Sequence, residues 1–140
     1  MASIGLVQLK YLDEDNDRRN SIANKYDSFI SGISGISTIP KAPYCHKSSR
    51  HLYQILVDSN DEKVNKRDLL MEEFYNNDIF PGVHYIDNTH YPMYSYAEKD
   101  CPNSRKFSDQ LITLPIHLNL KNEDIERVLT VLSTWVEANL

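Results

Sequence analysis

Cysteine is nearly missing from this 140-residue chain: only Cys45 and Cys101 occur, far apart in sequence. A disulfide framework needs more of them, so a reducing cytoplasm is the expected setting. Long apolar runs are missing too. None approaches the ~20 residues that span a bilayer. The first residues, Met1 to Leu9, lack a basic start and break their apolar run at Gln8, which excludes a signal peptide on this reading. Excess positive charge is the third absence. The net charge is −5, which argues against nucleic acid or an anionic membrane as partner. The densest basic spots, Arg18-Arg19 and Lys63 to Arg67, are diluted by Asp and Glu and read as solvated helix faces. A soluble, cytoplasmic protein is predicted.

What is present suits one domain over residues 1–140. Apolar residues make up 41% and charged residues 25%, ordinary for a globular chain that can bury roughly two-thirds of its unfolded surface. A long leading helix is predicted from Ile4 to Ile30, with Leu9, Leu12, Ile22, Tyr26 and Phe29 on one face. At 1.5 Å per residue it would reach about 40 Å. A domain of this size can hardly cover such a helix, which hints at a partner surface.

Gly32 and Gly35 supply the stop signal, and a short segment from Ile36 to Ile39 runs into Pro40 and Pro43. The best strand candidate lies in Ser49 to Asp58, where both alternating faces are largely apolar, as in a strand covered on two sides. Asp61 is the expected cap of a second helix to Asn77, with Val64, Leu69, Leu70 and Phe74 inward. A strand from Ile79 to Tyr85, an irregular aromatic segment to Tyr96 and a third helix from Pro102 to Leu111 follow. Thr113 to Ile116 reads as extended. A last helix from Asn122 to Asn139 buries Ile125, Val128, Leu129, Leu132, Trp135 and Val136. The order predicts an α+β fold, a small antiparallel or mixed sheet flanked by helices.

Four local patterns stand in fixed order: Ile4-Gly5-Leu6-Val7-Gln8-Leu9 with Leu12; His51-Leu52-Tyr53-Gln54-Ile55; Gly82-Val83-His84-Tyr85; and Leu114-Pro115 ahead of Asp124-Ile125-Glu126-Arg127-Val128. Together they resemble the C-terminal region of the DegT/DnrJ/StrS family of sugar aminotransferases, from Ile4 to Trp135. There an "AAIGLVQL" helix leads into the small domain, followed by an "HLY" strand, a "Gly-x-His-Tyr" strand end, a "Ser/Thr-Leu-Pro" segment and an "Ile/Val-Glu-Arg-Val" helix.

The resemblance implies the small C-terminal domain of a type-I aminotransferase. In such enzymes a large α/β domain holds pyridoxal phosphate, and the active sites lie at a homodimer interface. The implied product is an amino sugar on a nucleotide carrier, made for surface polysaccharide or antibiotic pathways. The departure from the family pattern is that its cofactor lysine, pyridinium-pairing aspartate and ring-stacking aromatic lie upstream of the matched part. So does its Asn-x-Arg loop. None of the nine lysines here sits in a cofactor-lysine context. No residue of this chain is therefore expected to bind pyridoxal phosphate or to be catalytic, and autonomous transamination is not expected.

His84 and Tyr85 are the candidate substrate-binding residues: the resemblance implies that this pair borders the sugar-nucleotide pocket. His90, Tyr91, Tyr94 and Tyr96 form an aromatic cluster that could stack on a base, but is read first as loop packing. Cys45, His46, His84, His90 and Cys101 lack zinc-ligand spacing, so no metal is expected. Asp61, Glu62, Glu72 and Glu73 read as surface acids. The leading expectation is a split or truncated portion of a nucleotide-sugar aminotransferase, whose partner is the large cofactor domain or a second copy. The alternative is a non-catalytic module that self-associates or binds a partner or sugar nucleotide. An unrelated enzyme with His84 as general base would need an orienting acid that the sequence does not name.

Overall fold

A computed structural model describes residues 2–40, 48–58 and 64–140. Among these residues four α-helices pack around a small sheet: α1 Ala2–Ile30, α2 Lys66–Asn76, α3 Pro102–Gln110 and α4 Asn122–Asn139, with strands β1 Ile36–Thr38, β2 Tyr53–Val57 and β3 Leu111–Leu114. The sheet order is β1-β2-β3 and both pairings are antiparallel, in register Ile36 with Val57 and Tyr53 with Leu114. The fold is the expected α+β arrangement, and the sheet is antiparallel. In the central β2, Tyr53, Ile55, Leu56 and Val57 are all buried, as a strand covered on both faces requires.

One cluster forms the core, running from Ile22, Ala23, Tyr26 and Ile30 of α1 through the sheet to Leu70 and Phe74 of α2 and to Trp135 of α4. Only the C-terminal half of α1 belongs to it. Ile4, Leu6, Val7, Leu9, Tyr11 and Leu12 are exposed, Leu6 at 64% and Leu9 at 63%. The expected inner positions Leu9 and Leu12 are therefore not inner here. Helical spacing was right, but no described element reaches that half of the helix.

The turns follow local chemistry. Gly35 has φ +79°, a left-handed value that favours glycine, and its carbonyl accepts from the Asp58 amide at 2.8 Å. α2 begins later than expected: the Asn65 side chain caps it by accepting from the Arg67 amide at 3.0 Å. The expected cap, Asp61, lies outside the described residues, as do Pro43, Cys45 and His46. Val64 and Leu69 are exposed rather than inward, while Leu70 and Phe74 are wholly buried. The expected strand from Ile79 to Tyr85 shrinks to a single bridge between Gly82 and Thr113. Pro81 has no amide proton to give a ladder, which stops a longer pairing. After it, two 3₁₀ segments, Asn88–His90 and Pro92–Asp100, replace the expected irregular stretch. α4 starts and ends where the periodicity puts it. It buries Ile125, Val128, Leu129, Leu132 and Trp135, adds Val131, and keeps Val136 at its edge.

Candidate functional site

His84 sits just past the Gly82–Thr113 bridge and is held from three sides. Its Nδ1 lies 3.1 Å from Thr113 Oγ1, its carbonyl accepts from Gln54 Nε2, and its ring covers Gly82 so closely that a methyl there would meet Cε1 at 2.6 Å. The ring is half-buried. It lines an open groove of about 510 Å³ with Arg19, His51, Phe80, Thr113 and His117. The floor is apolar, made by Leu52, Pro81, Leu114, Pro115 and Ile116.

Tyr85 takes a different direction. Its ring meets His84 edge-on, with centroids 5.2 Å apart at 87°, and is 74% exposed. It lines a second groove, of about 610 Å³, with Asp87, Thr89, Tyr94, Tyr96 and Ser104. The two expected site residues are thus neighbours that face separate grooves. Of the aromatic cluster, Tyr94 and Tyr96 join Tyr85, and their exposure, 80% at Tyr96, sets aside the loop-packing reading for these rings.

Asp87 anchors the wall of that second groove. Its carboxylate accepts from Thr89 Oγ1 and, at 2.7 Å, from Ser104 Oγ, while its amide donates to Ser108 Oγ at 2.9 Å. The Thr89 hydrogen bond, then that of Ser104, holds the carboxyl below the usual carboxylate range. His90 lies between two acids, Nδ1 3.8 Å from Asp87 and Nε2 3.5 Å from Asp109. This ties the loop to α3 and makes His90 a scaffold residue by geometry.

A second polar cluster supports the sheet end. Tyr53 donates to Asp27 Oδ1 at 2.7 Å, and Arg50 pairs with Asp27 Oδ2 at 3.0 Å and lies over the Tyr53 ring. Tyr26 stacks obliquely on Tyr53 and donates to the Pro115 carbonyl at 2.9 Å. Burial pushes both phenols up, and the Asp27 hydrogen bond adds to the effect at Tyr53. These residues fix Pro115, in the floor of the His84 groove, and the start of β2 next to its Leu52.

Sequence reasoning missed Arg19, His51, His117 and Thr113 as companions of His84. It read Arg18-Arg19 as a solvated face. Arg18 instead donates to the Leu120 carbonyl and Arg19 lines the groove. His84, His90 and Cys101 are not gathered: among the described residues no three His, Cys, Asp or Glu side chains could hold a metal ion. No helix among them is long and apolar enough to cross a membrane.

The sequence matches the model of the DegT/DnrJ/EryC1/StrS aminotransferase family over residues 1–133. The chain belongs to that family. Its similarity extends to SpsC of Bacillus subtilis, a spore coat polysaccharide biosynthesis protein, 31% identical over 137 residues that cover 91% of this chain and 34% of the relative. Among solved structures it resembles the candidate sugar aminotransferase Spr1654 of Streptococcus pneumoniae in its PMP-form, with TM-score 0.86, 30% identity, and coverage of 99% of this chain and 35% of that one. The aminotransferase TlmJ of Streptoalloteichus hindustanus is similar at TM-score 0.86 and 28% identity, with 98% and 36% covered. This family member therefore spans about a third of the length of the relatives it matches.

The DegT/DnrJ/EryC1/StrS aminotransferases depend on pyridoxal phosphate, and Spr1654 is known in a PLP-form. A Schiff-base lysine works from a desolvated pocket. Among the described lysines none lines any of these grooves, Lys25 is engaged with Asn122, and Lys66 with the Asn139 carbonyl.

Proposed function

We propose that the chain forms, as one unit over residues 1–140, the C-terminal small domain of a nucleotide-sugar aminotransferase. That enzyme would make amino sugars for surface polysaccharide or related glycans. The chain supplies one wall of the substrate pocket, through His84 and Tyr85, and does not transaminate by itself. The observation that carries this reading is the family match from residue 1 to 133 against relatives about three times as long. Two further points support it. The described lysines lie away from the grooves, and the N-terminal half of α1 exposes Ile4, Leu6, Val7 and Leu9, the kind of apolar row that a neighbouring domain covers.

The pocket chemistry is consistent with contact rather than proton transfer at His84. Its Nδ1 is occupied by Thr113, and among the described residues no carboxylate lines its groove to orient it as a base. The groove of Tyr85 offers phenol, hydroxyl and carboxylate groups, the donors and acceptors that recognise sugar hydroxyls. The protein is proposed to work in the cytoplasm, joined to the large cofactor domain.

The test places this chain in Spr1654 as a replacement for that protein's matched third and measures transfer to a nucleotide-linked keto sugar. His84→Gln and Tyr85→Phe are expected to raise KM for the sugar several-fold while leaving the reaction with the amino donor intact. Unchanged KM in both variants would refute the contact roles. A second reading, a self-associating module, draws on the same exposed row of α1. It predicts a concentration-dependent dimer in sedimentation that Leu6→Asp with Leu9→Asp abolishes, together with no activity in the fusion.

A further inference from the structure

His90 stands where the chain passes from the first 3₁₀ segment, Asn88–His90, to the second, Pro92–Asp100, which carries Tyr94 and Tyr96. No residue of the second segment is buried, so the core does not hold it. Its ties to α3 are polar and lie at its two ends. At the far end Glu98 pairs with Arg105 at 2.9 Å. At the near end Asp87 is hydrogen-bonded to Ser104 and Ser108, and His90 stands between Asp87 and Asp109. The Tyr85 groove crosses this seam: Tyr85, Thr89, Tyr94 and Tyr96 come from the loop, and Cys101 and Ser104 from the start of α3. The ties therefore set its width.

The contacts of His90 differ in kind from those of Asp87. Its side chain is 31% exposed, with Nδ1 3.8 Å from Asp87 and Nε2 3.5 Å from Asp109, both beyond hydrogen-bond length. At such distances the attraction is coulombic and exists only while the ring is charged. A neutral imidazole also has a single N–H, so it offers a donor to one acid and a lone pair to the other. Among the described residues neither acid has another cationic partner.

We infer that His90 is a proton-operated latch: charged, it draws the tyrosine-bearing loop onto α3 through Asp87 and Asp109, and neutral, it lets the segment beyond it loosen from the groove. Asp87 is the hinge, because its hydrogen bonds to Thr89, Ser104 and Ser108 do not involve His90. Those of Thr89 and Ser104 also hold its carboxyl below the usual range, so the anion is in place well into acid. Imidazoles lose their charge between about pH 5 and 8. The latch is made on the acid side of that range and lost as pH rises through it, the reverse of the acid limit set by Asp87. The other charges on the packed elements are Glu98, Lys99 and Asp100 of the loop and Arg105 and Lys106 of α3. Carboxylates, ammonium and guanidinium groups do not ordinarily titrate between pH 5.5 and 7.8. His84, edge-on to Tyr85, is the other imidazole beside the groove, and it has no acid partner among the described residues. That the groove takes a sugar rests on the proposed function above, whereas the latch does not.

Amide exchange of the 140-residue chain, read by NMR as protection factors at pH 5.5 and 7.8, tests it, since such factors remove the intrinsic pH dependence of exchange. The probes are the amides of Tyr91 and Tyr94, which donate to the Asn88 and Tyr91 carbonyls at 3.0 and 2.9 Å. Their protection should fall roughly fivefold from pH 5.5 to 7.8, the size expected of two partly exposed ion pairs, while amides in the middle of α4 keep theirs. His90→Gln should show the lower protection at both pH values. Asp109→Asn, at a side chain 46% exposed and so little risk to folding, should remove about half of the pH response. Thermal melts establish that each variant is folded. A loop equally protected at both pH values overturns the latch. So does a response that survives His90→Gln, as it would if His84 carried it, and a full response in Asp109→Asn overturns the bridging role. A pH-dependent loop in a chain whose Spr1654 fusion never turns over sinks only the aminotransferase reading. A working fusion with a pH-indifferent loop sinks only the latch.

Discussion

A methyl group added at Gly82 should displace His84 without disturbing the sheet. Gly82 is tied to Thr113 by two backbone hydrogen bonds, of 3.0 and 2.7 Å, so the main chain cannot retreat cheaply. The new Cβ would lie 2.6 Å from His84 Cε1 and 3.1 Å from Nδ1. The ring must turn, and its contact with Thr113 Oγ1 is lost. That hydrogen bond contributes about 1 kcal/mol, and residual crowding adds up to about 1 kcal/mol. The stiffer unfolded chain of the alanine variant offsets about 0.5 kcal/mol. Gly82→Ala should therefore cost about 1 kcal/mol and lower Tm by roughly 3 to 5 °C in a chain of this size. Thr113→Val removes the same hydrogen bond from the other partner. The double variant should cost less than the sum of the singles, by roughly 1 kcal/mol. Thermal melts with the His84 imidazole resonances as a local probe provide the assay. Strict additivity, or an unmoved His84 resonance in Gly82→Ala, would refute the reasoning.

Three other consequences follow from the packing and the ionisable groups. Leu132→Ala, at a wholly buried position of α4, should cost 2 to about 5 kcal/mol by urea unfolding, since the core around it has no other element to refill the space. Tyr53→Phe breaks the 2.7 Å bond to Asp27 and should cost about 1 to 2 kcal/mol; Asp27 keeps its ion pair with Arg50, which holds the value modest. The pH limits have opposite origins. Burial raises the phenols of Tyr26 and Tyr53, so their contribution is complete below about pH 10 and is lost as pH rises further, an alkaline loss that Tyr53→Phe should reduce. Asp87 is lowered by Thr89 and Ser104, so its contribution is present above about pH 4 and fades as pH falls through its lower folded value; Asp87→Asn should remove that part of the acid limb.

Much of the fold was legible because period and punctuation agreed. α4 shows a full apolar stripe from Ile125 to Trp135, and β2 an apolar run too short for a helix. Where legibility failed, the deciding partner was distant in sequence or missing from the chain's own core. Leu9 and Leu12 carry the same helical spacing as Ile22 and Tyr26, yet only the latter meet the sheet. The Ile79 to Tyr85 segment reads as a short strand after the Asn76-Asn77-Asp78 turn, but Pro81 and the single partner Thr113 limit it to one bridge. The site was half visible. His84 and Tyr85 stand out as a motif, whereas Arg19, His51 and His117 are spread over nearly 100 positions and meet only through the packing of α1 on the sheet and the antiparallel pairing of β2 with β3. The signal that could have found them is register: pairing Tyr53 with Leu114 brings the residues before β2 beside those after β3, His51 and His117 included.

The most direct test of the central claim is the change in cofactor absorbance when glutamate is added in the presence of pyridoxal phosphate, which reports conversion to the pyridoxamine form without any sugar. This chain alone should give none. The same chain carried as the C-terminal third of Spr1654 should give conversion that saturates with glutamate. Conversion by the isolated chain would contradict the claim. So would a folded, cofactor-loaded fusion that does not respond.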